Sequence, residues 1–258
     1  MPVEFSEKVL DIHEQKAIDP EMGQVYIALP EEYGNGETFP LLIALHGSGR
    51  EALSYRDVPF YAMQRDIALQ CGYVFAAVSN GPDTYGLDAG FKNAELLYRY
   101  MHENYSLYDR SALWASSAGG FMMHRLYREN PDIFGLLLGT FPVFDPLTIK
   151  PIASMLAAFD AKTDDEFYRN ARYLSPKFFE NDIYKNAHIV IAHGIHDEAV
   201  PISQSEGLKE QVQKYGGKME LIKKPGGHSI QNFALYDTDC FHNALKEYRG
   251  DIITSFQG

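Results

Sequence analysis

The sequence carries little with which to cross-link itself, cross a bilayer or hold a polyanion. Of 258 residues only Cys71 and Cys240 are cysteine. That excludes a disulfide framework and allows one bridge at most, and two reduced, mostly buried thiols are expected. No apolar stretch approaches the roughly 20 residues needed to span a membrane. The start, Met1-Pro2-Val3-Glu4, lacks the basic opening and apolar run of a secretory signal, so a cytoplasmic protein is expected. Positive charge is scarce: 23 Lys and Arg against 35 Asp and Glu leave a formal charge of −12. Such a surface repels phosphate backbones and anionic headgroups, so neither nucleic acid nor a membrane is an expected partner. The densest basic group, Lys218 with Lys223 and Lys224, reads as the solvated edge of a strand.

Apolar material is plentiful: 45% of residues are hydrophobic, enough for a sizeable core. No internal repeat and no Gly/Ser- or Pro-rich linker divides the chain, so a single domain over 1–258 is expected. Short apolar runs alternate with longer amphipathic stretches. Strands are predicted at Gln24–Leu29, Pro40–Leu45, Tyr73–Val78, Ser111–Ala115, Gly135–Thr140, His188–Ala192 and Lys218–Lys223. Leu41–Leu45 and Ile189–Ala192 are continuously apolar, as strands buried on both faces must be. Helices are predicted from Pro59 to Gly72, over Lys92–Asn104 and Ala118–Glu129, from Pro201 to Gly216, and from Asp239 to about Arg249.

This alternation predicts an α/β fold: a mostly parallel central sheet of about eight strands, helices on both faces, the first strands antiparallel. One connection, Pro146 to Ala187, is far longer than usual. It holds Thr163-Asp164-Asp165-Glu166, a capping box, and many aromatics. It reads as a small helical insertion at about 146–187, either a lid over a site or packing on the sheet rim.

The chemistry starts at Leu113-Trp114-Ala115-Ser116-Ser117-Ala118-Gly119-Gly120. A strand runs into a serine, then small residues, then a helix. A nucleophile on so sharp a turn needs small neighbours because the chain passes itself closely. With Ser117 as nucleophile the match is A-x-S-x-G. Taking Ser116 instead puts Trp114 in a small-residue position, which its size forbids. Serine needs a base within hydrogen-bond reach. His228, in Pro225-Gly226-Gly227-His228-Ser229, follows the last predicted strand, and the two glycines let the chain turn it over the sheet edge. A carboxylate must orient that imidazole. Asp197 follows the preceding strand in Gly194-Ile195-His196-Asp197; Asp145, after the strand before that, is the second candidate. A metal reading of His193-x-x-His196-Asp197 finds no further ligand cluster, so no metal is expected. Leu45-His46-Gly47-Ser48-Gly49 offers backbone N–H groups for a developing oxyanion, with Ser48 N–H as one donor and Ala118 N–H as the second. His46 is read as structural. Tyr85, Phe159 and Tyr168 are candidates to line a substrate pocket, or are core.

The order of oxyanion loop, serine, acid and histidine, each directly after a predicted strand, is the strongest signal. On these residues the chain resembles the α/β-hydrolase superfamily over nearly its whole length, nearest its esterase, dienelactone-hydrolase and prolyl-oligopeptidase-like branches. The resemblance rests on Leu41–Gly49, Trp114–Gly120, Gly194-x-x-Asp197-x-x-Val200-Pro201 and Gly226-Gly227-His228-Ser229. It departs at Ala115, which replaces the first elbow glycine, and at the insertion after Asp145. Serine rather than cysteine at 117 argues against the dienelactone enzymes themselves. The resemblance implies Ser–His–Asp catalysis through an acyl-enzyme without a cofactor, acting on a small or moderate-size carboxylic ester. Two alternatives stay open: a serine peptidase of prolyl-oligopeptidase-like type, whose relatives normally carry a large extra domain, and a catalytically silent binding protein on the same fold. Acyl group and oligomeric state are not legible.

Overall fold

The computed structural model describes residues 4–10, 24–79, 85–178, 183–228 and 238–256. The chain runs β1 (Phe5–Leu10), β2 (Val25–Pro30), β3 (Phe39–Leu45), α1 (Ser54–Asp57), α2 (Pro59–Gln70), β4 (Val74–Val78), α3 (Asp88–Asn104) and β5 (Leu107–Ser116). It continues with α4 (Gly119–Glu129), β6 (Phe134–Thr140), α5 (Ala153–Ala158), α6 (Asp164–Asn170), β7 (His188–Gly194), α7 (Ser203–Lys214), β8 (Lys218–Lys224) and α8 (Asp239–Phe256). The eight strands form one sheet in the order β1-β2-β4-β3-β5-β6-β7-β8. β1 and β2, and β2 and β4, pair antiparallel; from β4 to β8 the pairing is parallel.

Parallel pairing needs crossovers, and the crossover helices cover both faces. On β3, Leu41, Ile43 and Leu45 join a core with Leu97 and Met101 of α3, Met123 of α4 and Val212 of α7. The alternate residues Leu42 and Ala44 join a second core with Phe60 and Ile67 of α2 and Phe241 and Leu245 of α8. A strand buried twice over has no polar face to show, which is why these runs are apolar throughout.

The differences from the predicted elements have simple causes. β1 went unpredicted because Glu7 and Lys8 lie in an edge strand whose middle is exposed. It is held by its ladder to β2 and by Tyr26 donating to Glu7 at 2.9 Å. β5 starts at Leu107 rather than Ser111, since its first four residues are only partly covered and carry no apolar run. β8 is the other edge, where Lys218 and Lys223 reach out to Glu247 and Glu206 at 2.7 and 2.6 Å. Cys71 and Cys240 are unbridged, and burial pushes the Cys71 thiol up to about 11.

Among its described residues, the segment after β6 carries α5, α6 and three short 3-10 turns. Thr163 accepts the Glu166 N–H at 3.2 Å, while the Glu166 carboxylate takes the N–H of Lys162 at 2.7 Å, so the capping box closes one residue ahead of the N-cap Thr163. Phe159 and Phe167 bury themselves in a third core with Tyr85, Phe121, Val143 and Val200. Val143 and Val200 follow β6 and β7, so this cluster lies at the carboxyl edge of the sheet, where open parallel sheets keep their sites. Among the described residues no helix is long and apolar enough to cross a membrane.

Candidate active site

Ser117 is the first residue beyond β5, with φ at 50°, in the left-handed region that costs a side chain about 1–2 kcal/mol. Three backbone bonds hold it there. Its N–H donates to Thr140 at 3.1 Å, and its carbonyl accepts from Gly120 at 3.0 Å and Val143 at 2.9 Å. The next turn must lie against neighbouring strand ends: a Cβ on Gly119 would meet the Leu45 carbonyl oxygen at 2.2 Å, and one on Gly120 the Val143 oxygen at 2.1 Å. Ser116 faces the other way, fully buried, and accepts from the Gln64 amide at 2.9 Å.

His228 Nε2 lies 2.9 Å from Ser117 Oγ, and His228 Nδ1 lies 2.8 Å from Asp197 Oδ2. An ionised carboxylate only accepts, so the proton sits on Nδ1 and Nε2 is left to accept from the serine hydroxyl. Asp197 Oδ1 takes the N–H groups of Val200 at 2.8 Å and Ala199 at 3.0 Å. Burial raises the Asp197 carboxyl, but bonds from His193, His228 and Val200 together outweigh it and hold the group down at about 2. The acid is therefore ionised at neutral pH. The two loops that carry acid and histidine are tied together: Ile195 N–H donates to Lys224 at 2.9 Å and His196 N–H to Gly226 at 2.8 Å. A Cβ on Gly194 would lie 2.6 Å from the Gly226 oxygen, so only glycine permits that approach.

The second candidate acid is engaged elsewhere. Asp145 caps the turn at Pro146–Thr148 by accepting from Leu147 N–H at 2.9 Å, and it pairs with Lys177 at 3.2 Å. His193 is wholly buried. Its Nε2 donates to the Val200 carbonyl at 2.8 Å, with Asp197 Oδ2 at 3.5 Å, and its Nδ1 accepts from the Ser205 hydroxyl at 2.7 Å. In the sequence His193 reads only as a metal ligand; in the fold it braces the loop that presents Asp197. Among the described residues no group of three or more His, Cys, Asp or Glu could hold a metal. His46 Nδ1 donates to the Gly47 carbonyl at 2.9 Å, within its own loop.

Gly47, Ser48, Ser117, Ala118 and His228 line one cleft of about 330 Å³. Gly47 N–H is bound to the Tyr61 hydroxyl at 3.2 Å, and the Ala118 N–H makes no hydrogen bond among the described residues. The predicted pocket residues Tyr85, Phe159 and Tyr168 are not in the lining. Tyr85 is fully buried, its hydroxyl 3.0 Å from Ser48 Oγ and 2.7 Å from Ser154 Oγ. Phe159 is core, and Tyr168 donates to the Ile149 carbonyl at 3.3 Å. The walls are Phe60, Phe141, Val143, Ile149 and Met155 instead. Phe141 and Val143 follow β6 directly, a position that would have drawn attention to them; Phe60 arrives from α2, and no local pattern points to it. A larger concavity of about 1090 Å³ lies near the other end of the sheet, between Arg110 and Arg128, and includes neither Ser117 nor His228.

Residues 89–238, more than half of the chain, match the sequence profile of the prolyl oligopeptidase family. The chain belongs to that family. Comparison with curated proteins finds no match. Among solved structures, a truncated carbohydrate esterase from gut microbiota superposes with a TM-score of 0.73 at 18% identity, covering 96% of each chain. An S-formylglutathione hydrolase from Agrobacterium tumefaciens gives 0.71 at 14%, covering 96% of this chain and 97% of that one. The acylaminoacyl peptidase of Pyrococcus horikoshii gives 0.69 at 18%, covering 95% of this chain but 41% of that one. The sheet and its crossovers are those of the α/β-hydrolase fold.

Within this member of the prolyl oligopeptidase family, the span that matches includes Ser117, Asp197 and His228. Ala115, the residue at which the motif departs from glycine, is fully buried and stands in register between Leu45 of β3 and Gly139 of β6.

Proposed function

We propose that this protein is a serine hydrolase of small carboxylic esters, with Ser117 as nucleophile, His228 as general base and Asp197 as the orienting acid. The observation that carries the reading is the line of two hydrogen bonds from Asp197 through His228 to Ser117, at 2.8 and 2.9 Å. His228 Nε2 takes the hydroxyl proton as Ser117 Oγ bonds to the ester carbonyl carbon. Charge develops on the carbonyl oxygen, where Ala118 N–H and Ser48 N–H act as donors and the amino end of α4 adds its field. Collapse breaks the bond to the alcohol oxygen, which leaves with the proton from His228. Water, deprotonated by the same nitrogen, then attacks the acyl-serine and releases the acid. Asp197, ionised, stabilises the imidazolium formed in each half. The described residues of the segment after β6, with α5 and α6, serve as a cap whose Ile149 and Met155 shape the pocket for the acyl or alcohol group.

The test is labelling by a fluorophosphonate, mapped by peptide sequencing, beside hydrolysis of 4-nitrophenyl acetate. A label on Ser117, and a folded Ser117→Ala variant slower by roughly 10³–10⁶-fold, are expected. Retention of most turnover by Ser117→Ala overturns the proposal. Family membership and the overlay with a peptidase favour a second reading, cleavage of peptide bonds. An N-acetyl dipeptide 4-nitroanilide turned over faster than the aryl ester would decide for it.

A further inference from the structure

The cleft above Ser117 has a charge pattern opposite to that of the whole molecule. The chain as a whole is strongly acidic. Among the described residues, the cleft lining has no acidic side chain and two cationic ones, Arg50 and Lys150. Arg50 follows the Gly47–Gly49 turn at the end of β3, and Lys150 follows the short turn at Pro146–Thr148 that begins the segment after β6. They reach the same cleft from two separate elements. Neither makes an ion pair with a described residue, whereas Arg56, Arg65, Arg125, Arg128, Lys177, Lys218 and Lys223 all do. Arg50 is half-buried, and Tyr61 beside it feels its charge. The same cleft has apolar walls, Phe60, Phe141, Val143, Ile149 and Met155.

Two cations that pair with no described residue, in one cleft with apolar walls and a serine, suit a ligand with an apolar body and an anionic end. A neutral ester gains nothing from them. A carboxylate on the substrate gains a charge-assisted hydrogen bond from the Arg50 fork and attraction to Lys150, in a cleft whose described lining holds no acidic side chain. The cleft volume of about 330 Å³ suits a small molecule rather than a polymer chain. We infer that the preferred substrates are small esters carrying a carboxylate group, of which the half-ester of a dicarboxylic acid is the simplest. This rests on the serine-hydrolase reading above and adds the substrate class.

The experiment compares matched pairs on the full-length protein: monomethyl glutarate against methyl pentanoate for charge on the acyl side, and 3-acetoxypropanoate against butyl acetate for charge on the alcohol side. Hydrolysis is followed by proton release. At about 20 mM salt, kcat/KM for at least one anionic ester exceeds that of its neutral partner by roughly tenfold or more, and the ratio shrinks towards one at about 0.5 M salt. In the double variant Arg50→Gln/Lys150→Gln the ratio falls by roughly tenfold. Ratios near or below one in both pairs, or a ratio indifferent to both salt and the double variant, overturn this inference while leaving the hydrolase reading intact, provided Ser117 still takes the fluorophosphonate. Absence of both labelling and hydrolysis overturns the two together.

Discussion

Gly119→Ala probes how tightly the turn after Ser117 is built against the end of β3. The added Cβ would lie 2.2 Å from the Leu45 carbonyl oxygen and 2.8 Å from that of His46. Ordinary contact between such atoms needs roughly 1 Å more than the shorter of these distances. Both obstacles are backbone, so no side-chain rotation relieves them; α4 and the end of β3 must move apart. Overpacking of this kind costs about 1–3 kcal/mol. Against it stands the gain from replacing glycine at a helical position, at most about 1 kcal/mol and less at the first residue of a helix. The clash wins, leaving a net loss of about 1–2 kcal/mol. In a chain of this size, that lowers Tm by about 2–4 °C per kcal/mol. Catalysis should suffer more than stability. Leu45 and His46 lead directly into Ser48, and a displacement of about 1 Å at such a site costs on the order of 10²-fold in rate. The assay is thermal melting together with kcat/KM on an aryl ester. The control is Gly207→Ala, within α7, where nothing lies within 4 Å of the new Cβ. It should raise Tm through helix propensity alone, by up to about 1 kcal/mol. A Gly119→Ala variant that melts with the wild type and retains its rate would refute the account of the elbow.

Asp197→Asn should lower kcat on aryl esters by roughly 10³–10⁴-fold, with Asp145→Asn within a few-fold of wild type; the reverse ranking would move the acid to Asp145. Ser117→Gly removes a side chain from a backbone with φ at 50°, so loss of activity should come with a Tm unchanged or raised by a few degrees, net of the entropy glycine adds to the unfolded chain; a clear drop in Tm would count against strain at this position. Burial pushes the His124 imidazole down to about 3, whereas in the unfolded chain it protonates near 6.5. A depressed folded value means its contribution is complete above pH 6.5 and is lost as pH falls towards 3. By pH 5 the loss is about 2 kcal/mol, and His124→Gln, which keeps an acceptor for Tyr184, should flatten the fall in Tm between pH 7 and 5. Asp197, held down at about 2, loses its contribution only below pH 4, so it leaves that window untouched.

What was legible in the sequence is what short-range chemistry dictates. Leu41–Leu45 reads as a doubly covered strand because all five of its residues are apolar, leaving neither face polar. Ser117 reads as an elbow because only small residues surround it, with Trp114 excluding Ser116. The glycine pairs at 119–120 and 226–227 mark places where the chain must turn or pass close to itself. Tertiary structure alone decided the rest, because those facts depend on what lies across space rather than along the chain. Asp145 and Asp197 each follow a strand; only packing shows that Asp145 caps a turn and meets Lys177, while Asp197 meets His228. Tyr85, Phe159 and Tyr168 carry the right side chains for a pocket wall, yet Tyr85 and Phe159 fill a core cluster with the half-buried Tyr168 packed against it, and Phe60 and Phe141 are among the residues that line the cleft. The edge strand β1 is written in exposed, charged residues, so its strand character comes from the ladder to β2 rather than from any pattern of its own.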